Sequence, residues 1–234
     1  MRLLLSVLLL LSMHVQATKP AEEKSISVFS IAGGLAFSDA STIDSPVHLV
    51  DGVEPVVAGD DIRVVVEIPT GSIQKWEVDK TEGNLKWELR DGSPRVINYL
   101  GYPGNYGMIP RTLQGEKTGG DGDPLDALVI GQAVPRGSIV TARLIGILNM
   151  TDKGMQDDKL IAVLKDSAFE EIYTIKQLDK KFPDASTIIR LWFANYKGQK
   201  KIAIEGYSGR KSAREALSRG ISDYIAHTKK QVEH

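Results

Sequence analysis

The chain contains no cysteine, so disulfides, thiolate metal sites and cysteine nucleophiles are excluded outright. It has only four histidines, His14, His48, His227 and His234, each isolated, and no zinc-ligand spacing appears among them. Neither charge sign dominates: the net charge is -1, which gives no bulk electrostatic attraction toward nucleic acid or a membrane surface. The one long apolar run, Leu3 to Met13, is too short to span a bilayer comfortably. No internal repeat is visible. What remains is a 234-residue chain, 42% hydrophobic and 25% charged, a balance that suits one domain with a substantial core.

Arg2, the apolar run and the small-residue exit Val15-Gln16-Ala17 form a signal-peptide pattern. The expected organisation is therefore a signal peptide over 1–17, a linker or N-terminal extension over 18–45, and the main domain over 46–234. An uncleaved anchor is the alternative reading of the same run. Cleavage implies an exported protein without stable membrane association, periplasmic for a Gram-negative source and secreted otherwise.

Ile62-Arg63-Val64-Val65-Val66-Glu67-Ile68 is rich in β-branched residues and stops at Pro69, as a strand does. Residues 75–79 and 85–89 alternate in character around the turn Glu82-Gly83-Asn84, which predicts a hairpin. Further strands are expected over 127–131, 138–150 and 160–164. Helices come late. Ser167-x-x-Glu170 and Ser212-x-x-Glu215 match a capping box. Asp184 is placed to cap a helix running to Tyr196, with Ile188, Ile189, Trp192, Phe193 and Tyr196 on its apolar stripe. Strands followed by helices predict an α+β domain, a closed or partly closed barrel with helices packed outside.

The most informative residues are two clusters of aspartates beside apolar strands. Asp121-Gly122-Asp123-Pro124-Leu125-Asp126 combines a permissive glycine with a rigid proline, so short carboxylates can be aimed at one point. Asp152, Asp157 and Asp158 form the second cluster. So many carboxylates at the rim of a core call for positive charge, and hard divalent cations suit them best. An EF-hand is excluded, because its positions 6 and 12 would be Asp126 and Gln132 rather than glycine and glutamate. For the first cluster alone, a solvated acidic turn is the plainer reading. Lys75, Lys159 and Lys197 taken singly read as surface or helix-end cations, and Tyr196 as core. Gly206-Tyr207-Ser208-Gly209-Arg210 is no nucleophile elbow, since Arg210 stands where glycine is needed. Asn149-Met150-Thr151 matches a glycosylation pattern, but lies against the acidic cluster, where no sugar is expected.

Taken in order, Val66-Glu67-Ile68-Pro69, Tyr102-Pro103-Gly104-Asn105-Tyr106-Gly107, the D-x-D-P-x-D run of residues 121–126, Met150-Thr151-Asp152 with Asp157 and Lys159, and Tyr196-Lys197 resemble the family I soluble inorganic pyrophosphatases. The resemblance covers roughly residues 46–230. It implies a five-stranded barrel of OB type flanked by C-terminal helices, and hydrolysis of inorganic pyrophosphate by a metal-activated water without a covalent intermediate. It implies several Mg2+ ions per site, with Mn2+ or Zn2+ as substitutes, held by Asp121, Asp126, Asp152 and Asp157, and by Glu67 through water. Asp123 corresponds to the general base, and Tyr106 joins it as a catalytic residue. Lys75, Arg95, Tyr106, Lys159, Tyr196 and Lys197 correspond to the groups that bind phosphate. Arg90 competes with Arg95 for the arginine role, and the distance to Tyr102 favours Arg95. The resemblance further implies a homo-oligomer, a homohexamer among bacterial members, and no nucleic-acid partner. Two other readings stay open: a non-catalytic metal- or phosphate-binding module, and a hydrolase of longer polyphosphates or nucleotides.

Overall fold

The structure, a computed structural model, describes residues 31–57, 61–115 and 119–232. The expected signal segment and the first part of the expected linker lie outside the described residues. Two short strands, β1 (Ala36–Phe37) and β2 (Thr42–Asp44), precede β3 (Ile62–Ile68). The hairpin expected next is formed by β4 (Trp76–Val78) and β5 (Leu85–Trp87), and a second one follows from β6 (Leu89–Arg90) and β7 (Ser93–Pro94). Then come β8 (Asn105–Met108), β9 (Asp126–Ile130), β10 (Ile139–Asp152), β11 (Met155–Gln156) and β12 (Lys159–Leu164). Helices α1 (Ile175–Lys181) and α2 (Ala185–Asn195), strand β13 (Ile202–Gly209) and helix α3 (Arg210–Val232) complete the chain.

Pairings β3–β8, β8–β9, β9–β12, β12–β10 and β10–β3 close a ring, so the expected five-stranded barrel forms. Period-two alternation divides its strands between two cores. Ala127, Val129, Leu160 and Ala162 join Ala213, Ala216 and Leu217 of α3. Their neighbours Leu128, Ile130, Ile161 and Val163 join Leu178 of α1 and Ile189, Trp192 and Phe193 of α2. The β1-β2-β5-β4 sheet covers β3 through a third core containing Ile43, Trp76, Leu85, Val65 and Met108. Part of the expected extension is thus a hairpin packed on the domain. Gly107 allows the closest approach in the barrel: a Cβ there would sit 1.9 Å from the Val65 carbonyl oxygen.

The helix boundaries differ from the sequence expectation. Residues 167–172 form turns, in which the Ser167 hydroxyl donates to the Leu164 carbonyl and accepts the Phe169 N–H; the helix starts later, capped by Thr174. Asp184 does precede α2, but its φ is +62° and its carboxylate makes no cap bond. Asp179 of α1 does that work, accepting both the N–H and the hydroxyl of Ser186 at 2.9 and 2.6 Å. Helix α3 begins at Arg210, ahead of the Ser212 box. Ile188, expected on the buried stripe, is exposed. Strand β13, unpredicted, pairs with β10 despite Gly206 in its middle. Among the described residues no helix is long and apolar enough to cross a membrane.

Candidate active site

One mouth of the barrel gathers the candidate residues, and strand direction explains why. Strand β12 runs parallel to β9 with Leu160 opposite Ala127, so their first residues, Lys159 and Asp126, start side by side. Strand β10 is antiparallel to β12, which brings its last residue, Asp152, to the same end. The turn from β10 to β11 has φ of +52° at Lys153 and +84° at Gly154, the two positive values of a type I′ hairpin. Strand β8 is antiparallel to β9, pairs Met108 with Asp126, and carries Tyr106. Finally α2 ends at the cap residue Tyr196, followed by Lys197.

The first aspartate loop is held by its own backbone. Gly122 takes φ +79°, and the Asp123 N–H donates to Asp121 Oδ1 at 3.0 Å. The Gly122 N–H and the Asp123 carbonyl both bond to Gln114. Leu125 is buried, and its N–H reaches the buried Thr112 hydroxyl.

Lys75, Arg95, Tyr106, Asp121, Asp123, Asp126, Asp152, Asp157, Lys159, Tyr196 and Lys197 line a single cavity of about 200 Å³. Of the predicted site residues, only Glu67 is missing from it. Strand β3 has a register shift against β8 between Val66 and Ile68, which leaves Glu67 as the extra residue of a bulge. Its carboxylate accepts the Val78 N–H at 2.7 Å and faces an adjoining cavity of about 320 Å³. That cavity shares Lys75, Glu77, Asp123 and Asp126 with the first. Arg90 stays outside both, whereas Arg95 lines the first.

Asp158 shows how a one-residue step separates roles. Its carboxylate accepts the Met150 N–H and the Gln156 side-chain amide at 2.9 and 2.7 Å, and it lines a crevice against α3 instead. Asn149 sits within β10 and donates to the Ser208 hydroxyl, so the glycosylation pattern lies in a paired strand. Glu77 and Tyr102 also line the cavity. Tyr102 was visible in its motif. Glu77 carried one usable signal: it lies two residues from Lys75 on an extended segment, hence on the same face.

The charges explain one another. Lys159 is only 2% exposed and bridges Asp126 Oδ2, at 2.5 Å, and Asp157. Burial opposes its charge, but the two carboxylates outweigh that and hold the ammonium above its usual range. Lys197 contacts Asp152 at 2.7 Å, Lys75 contacts Glu77 at 3.2 Å, and Lys80 contacts Asp123. Lys75 is likewise held up at about 12: Glu77, Glu67 and Asp126 overcome its burial. The carboxylates are pushed the other way. Burial raises Glu67 to about 8, against the pull of Lys75 and the Val78 N–H, with Asp126 adding to the rise. Asp157 is raised by burial and by Asp126 despite Lys159. Among the described residues no three acidic or imidazole groups close on one point. The aspartates ring the cavity, with lysine ammonium groups between them. The donor set still fits a hard cation: it is all oxygen, and two of its members are raised by burial and by neighbouring carboxylates.

Tyr102, Tyr106, Trp192, Phe193 and Tyr196 form an aromatic wall, with the Trp192 and Tyr196 rings stacked 4.7 Å apart at 11°. Burial keeps the Tyr102, Tyr106 and Tyr196 hydroxyls above the usual phenol range, so all three are protonated donors at neutral pH.

A family model for inorganic pyrophosphatase matches residues 64–225. The inorganic pyrophosphatase of Helicobacter pylori is 36% identical over 170 residues, 70% of this chain and 92% of that protein. Soluble inorganic pyrophosphatase 3 of Arabidopsis thaliana is 40% identical over 174 residues, 71% of this chain and 74% of that protein. The solved Helicobacter pylori enzyme superposes with a TM-score of 0.63 at 35% identity, over 75% of this chain and 99% of that one. The type I pyrophosphatase of P. falciparum shares the fold, with a TM-score of 0.75 at 22% identity over 85% of this chain and 69% of that one. A family match across more than half the chain, relatives above 30% identity, and a cavity assembled from the motif residues lead to one conclusion: the chain belongs to the family I soluble inorganic pyrophosphatases.

Proposed function

We propose that the chain hydrolyses inorganic pyrophosphate to two phosphates with magnesium as cofactor. The observation that carries this is the meeting of five aspartates and four cations, from widely separated stretches, in one cavity. Asp121, Asp126, Asp152 and Asp157 would hold the magnesium ions, and Glu67 would join from the adjoining cavity through water. Bound magnesium would neutralise phosphate charge and bring the pKa of the attacking water toward neutrality. Asp123 takes the proton of that water, its carboxylate exposed at the cavity rim. Lys75, Arg95, Lys159 and Lys197 hold the phosphate oxygens as charge moves to the leaving group. Tyr106 and Tyr196 donate hydrogen bonds from their protonated hydroxyls. The aromatic wall excludes water from that side.

Phosphate release from pyrophosphate and from ATP, each with magnesium or manganese and then with excess chelator, tests the reading. Expected is rapid release from pyrophosphate alone, abolished by the chelator and restored by magnesium. Metal binding without turnover would replace the enzyme reading with that of a binding module.

We further propose that the chain is exported with loss of residues 1–17 and assembles as a homohexamer. The signal-peptide pattern and the family resemblance support this. N-terminal sequencing of protein purified from the exported fraction, with light scattering for mass, should show cleavage after Ala17 and about six subunits. An intact N-terminus in the cytoplasmic fraction would sink the export claim, and a stable monomer the assembly claim.

A further inference from the structure

A second concavity, of about 630 Å³, opens from the catalytic cavity and shares Arg95, Asp152, Tyr196 and Lys197 with it. Its charge is one-sided: it is lined by Arg90, Arg95, Lys153, Lys197 and Lys201, against Asp152 alone. Arg95 and Lys197 already have partners in Glu88 and Asp152. Among the described residues the side chains of Arg90, Lys153 and Lys201 form no ion pair or hydrogen bond. Three exposed, unpaired cations around one groove give it a positive potential that favours an anion.

Tight turns hold two of these cations in place. Arg90 opens the β6–β7 turn, in which Asp91 and Gly92 have φ of +52° and +75°. Lys153 itself takes φ +52° in the β10–β11 turn, a position where asparagine, aspartate or glycine is the usual choice. A lysine in that strained conformation, lining a groove whose charged residues are mostly cations, matches the pattern of strain kept at functional sites.

We propose that this groove is a subsite for a third phosphate, and that the chain removes a terminal phosphate from linear tripolyphosphate. The inference rests on the pyrophosphatase reading of the same site. Two phosphates fill the catalytic cavity, and the third passes between Arg95 and Lys197 to reach Arg90, Lys153 and Lys201. Water then forms one new P–O bond at the terminal phosphorus, and one bridging P–O bond breaks. The water's protons leave on the two products, phosphate and pyrophosphate, and the pyrophosphate is hydrolysed in turn.

The test compares the whole chain with the variant Arg90→Ala/Lys153→Ala/Lys201→Ala on magnesium pyrophosphate and magnesium tripolyphosphate. Wild type should release three phosphates per tripolyphosphate. In the variant, kcat/KM for tripolyphosphate should fall at least about tenfold, the effect of losing one charge-assisted hydrogen bond. That for pyrophosphate should stay within about twofold, as for surface changes remote from the reacting atoms. If circular dichroism shows the triple variant unfolded, the three single variants carry the comparison. Wild type that cleaves pyrophosphate but leaves tripolyphosphate untouched overturns this inference and spares the pyrophosphatase reading. Failure on both substrates sinks that reading itself. Equal loss on both in the variant, or loss on neither, also overturns the third-phosphate subsite.

Discussion

Asp123→Asn is expected to lower pyrophosphate turnover by about two to four orders of magnitude, the usual contribution of a positioned general base. The change keeps the size and shape of the side chain and removes its basicity. Little structural damage should follow. The Asp123 side chain is 56% exposed, and the loop is held through the Asp123 backbone and the Asp121 carboxylate. Its one side-chain partner, Lys80, is equally exposed, so that pair is screened and adds little to stability. Steady-state kinetics with the melting temperature measured alongside checks the prediction. Asp158→Asn is the control: that neighbouring acid is tied to the Met150 N–H and the Gln156 amide and points away from the cavity. Activity of Asp123→Asn within tenfold of wild type would remove Asp123 from the base role.

Lys159→Met should have the largest effect on stability. Lys159 is the buried cation between Asp126 and Asp157, and removing one partner of a buried ion pair typically costs about 3–5 kcal/mol. Methionine fills much of the volume, so the loss reports charge. The pH dependence follows from the direction of the Asp157 shift. Burial already raises Asp157 in the wild type, and losing Lys159 must raise it further. A carboxyl whose folded pKa lies above its unfolded value destabilises at pH above that folded value. The penalty fades as pH falls and the group protonates. Chemical denaturation in metal-free buffer should therefore show the deficit in full at neutral pH and a smaller one near the unfolded carboxyl range. Magnesium should stabilise this variant more than the wild type, because a cation replaces the missing ammonium. A deficit independent of both pH and magnesium would mean that Lys159 acts by packing alone.

Much of the site was readable before any coordinates. Asp121, Asp123 and Asp126 belong to a loop whose shape depends on Gly122, Pro124 and bonds within a few residues, so the chemistry of that loop is local. Strand β3 was placed at its observed ends because a β-branched run stopped by Pro69 leaves few alternatives. The helix starts were misread because capping boxes are common by chance. The start actually used at α1, Thr174, has Gln177 three residues on, donating its backbone N–H to the Thr174 hydroxyl at 3.1 Å and accepting the Tyr173 N–H rather than that of the cap. Strand β13 escaped notice because it is only half buried and carries Gly206, so its alternation is faint.

The sequence alone determined the kinds of side chain present: carboxylate oxygens in two clusters, ammonium and guanidinium cations, phenols, and no thiol. It could do so because side-chain identity and short-range backbone geometry are properties of neighbouring residues. Only the tertiary structure put Arg95 and not Arg90 on the cavity wall, set Glu67 behind a bulge, added Glu77, placed Lys159 between two aspartates, and opened a basic groove beside the cavity. Each of these depends on strand register and direction across the barrel, and register arises from packing between residues far apart in the chain.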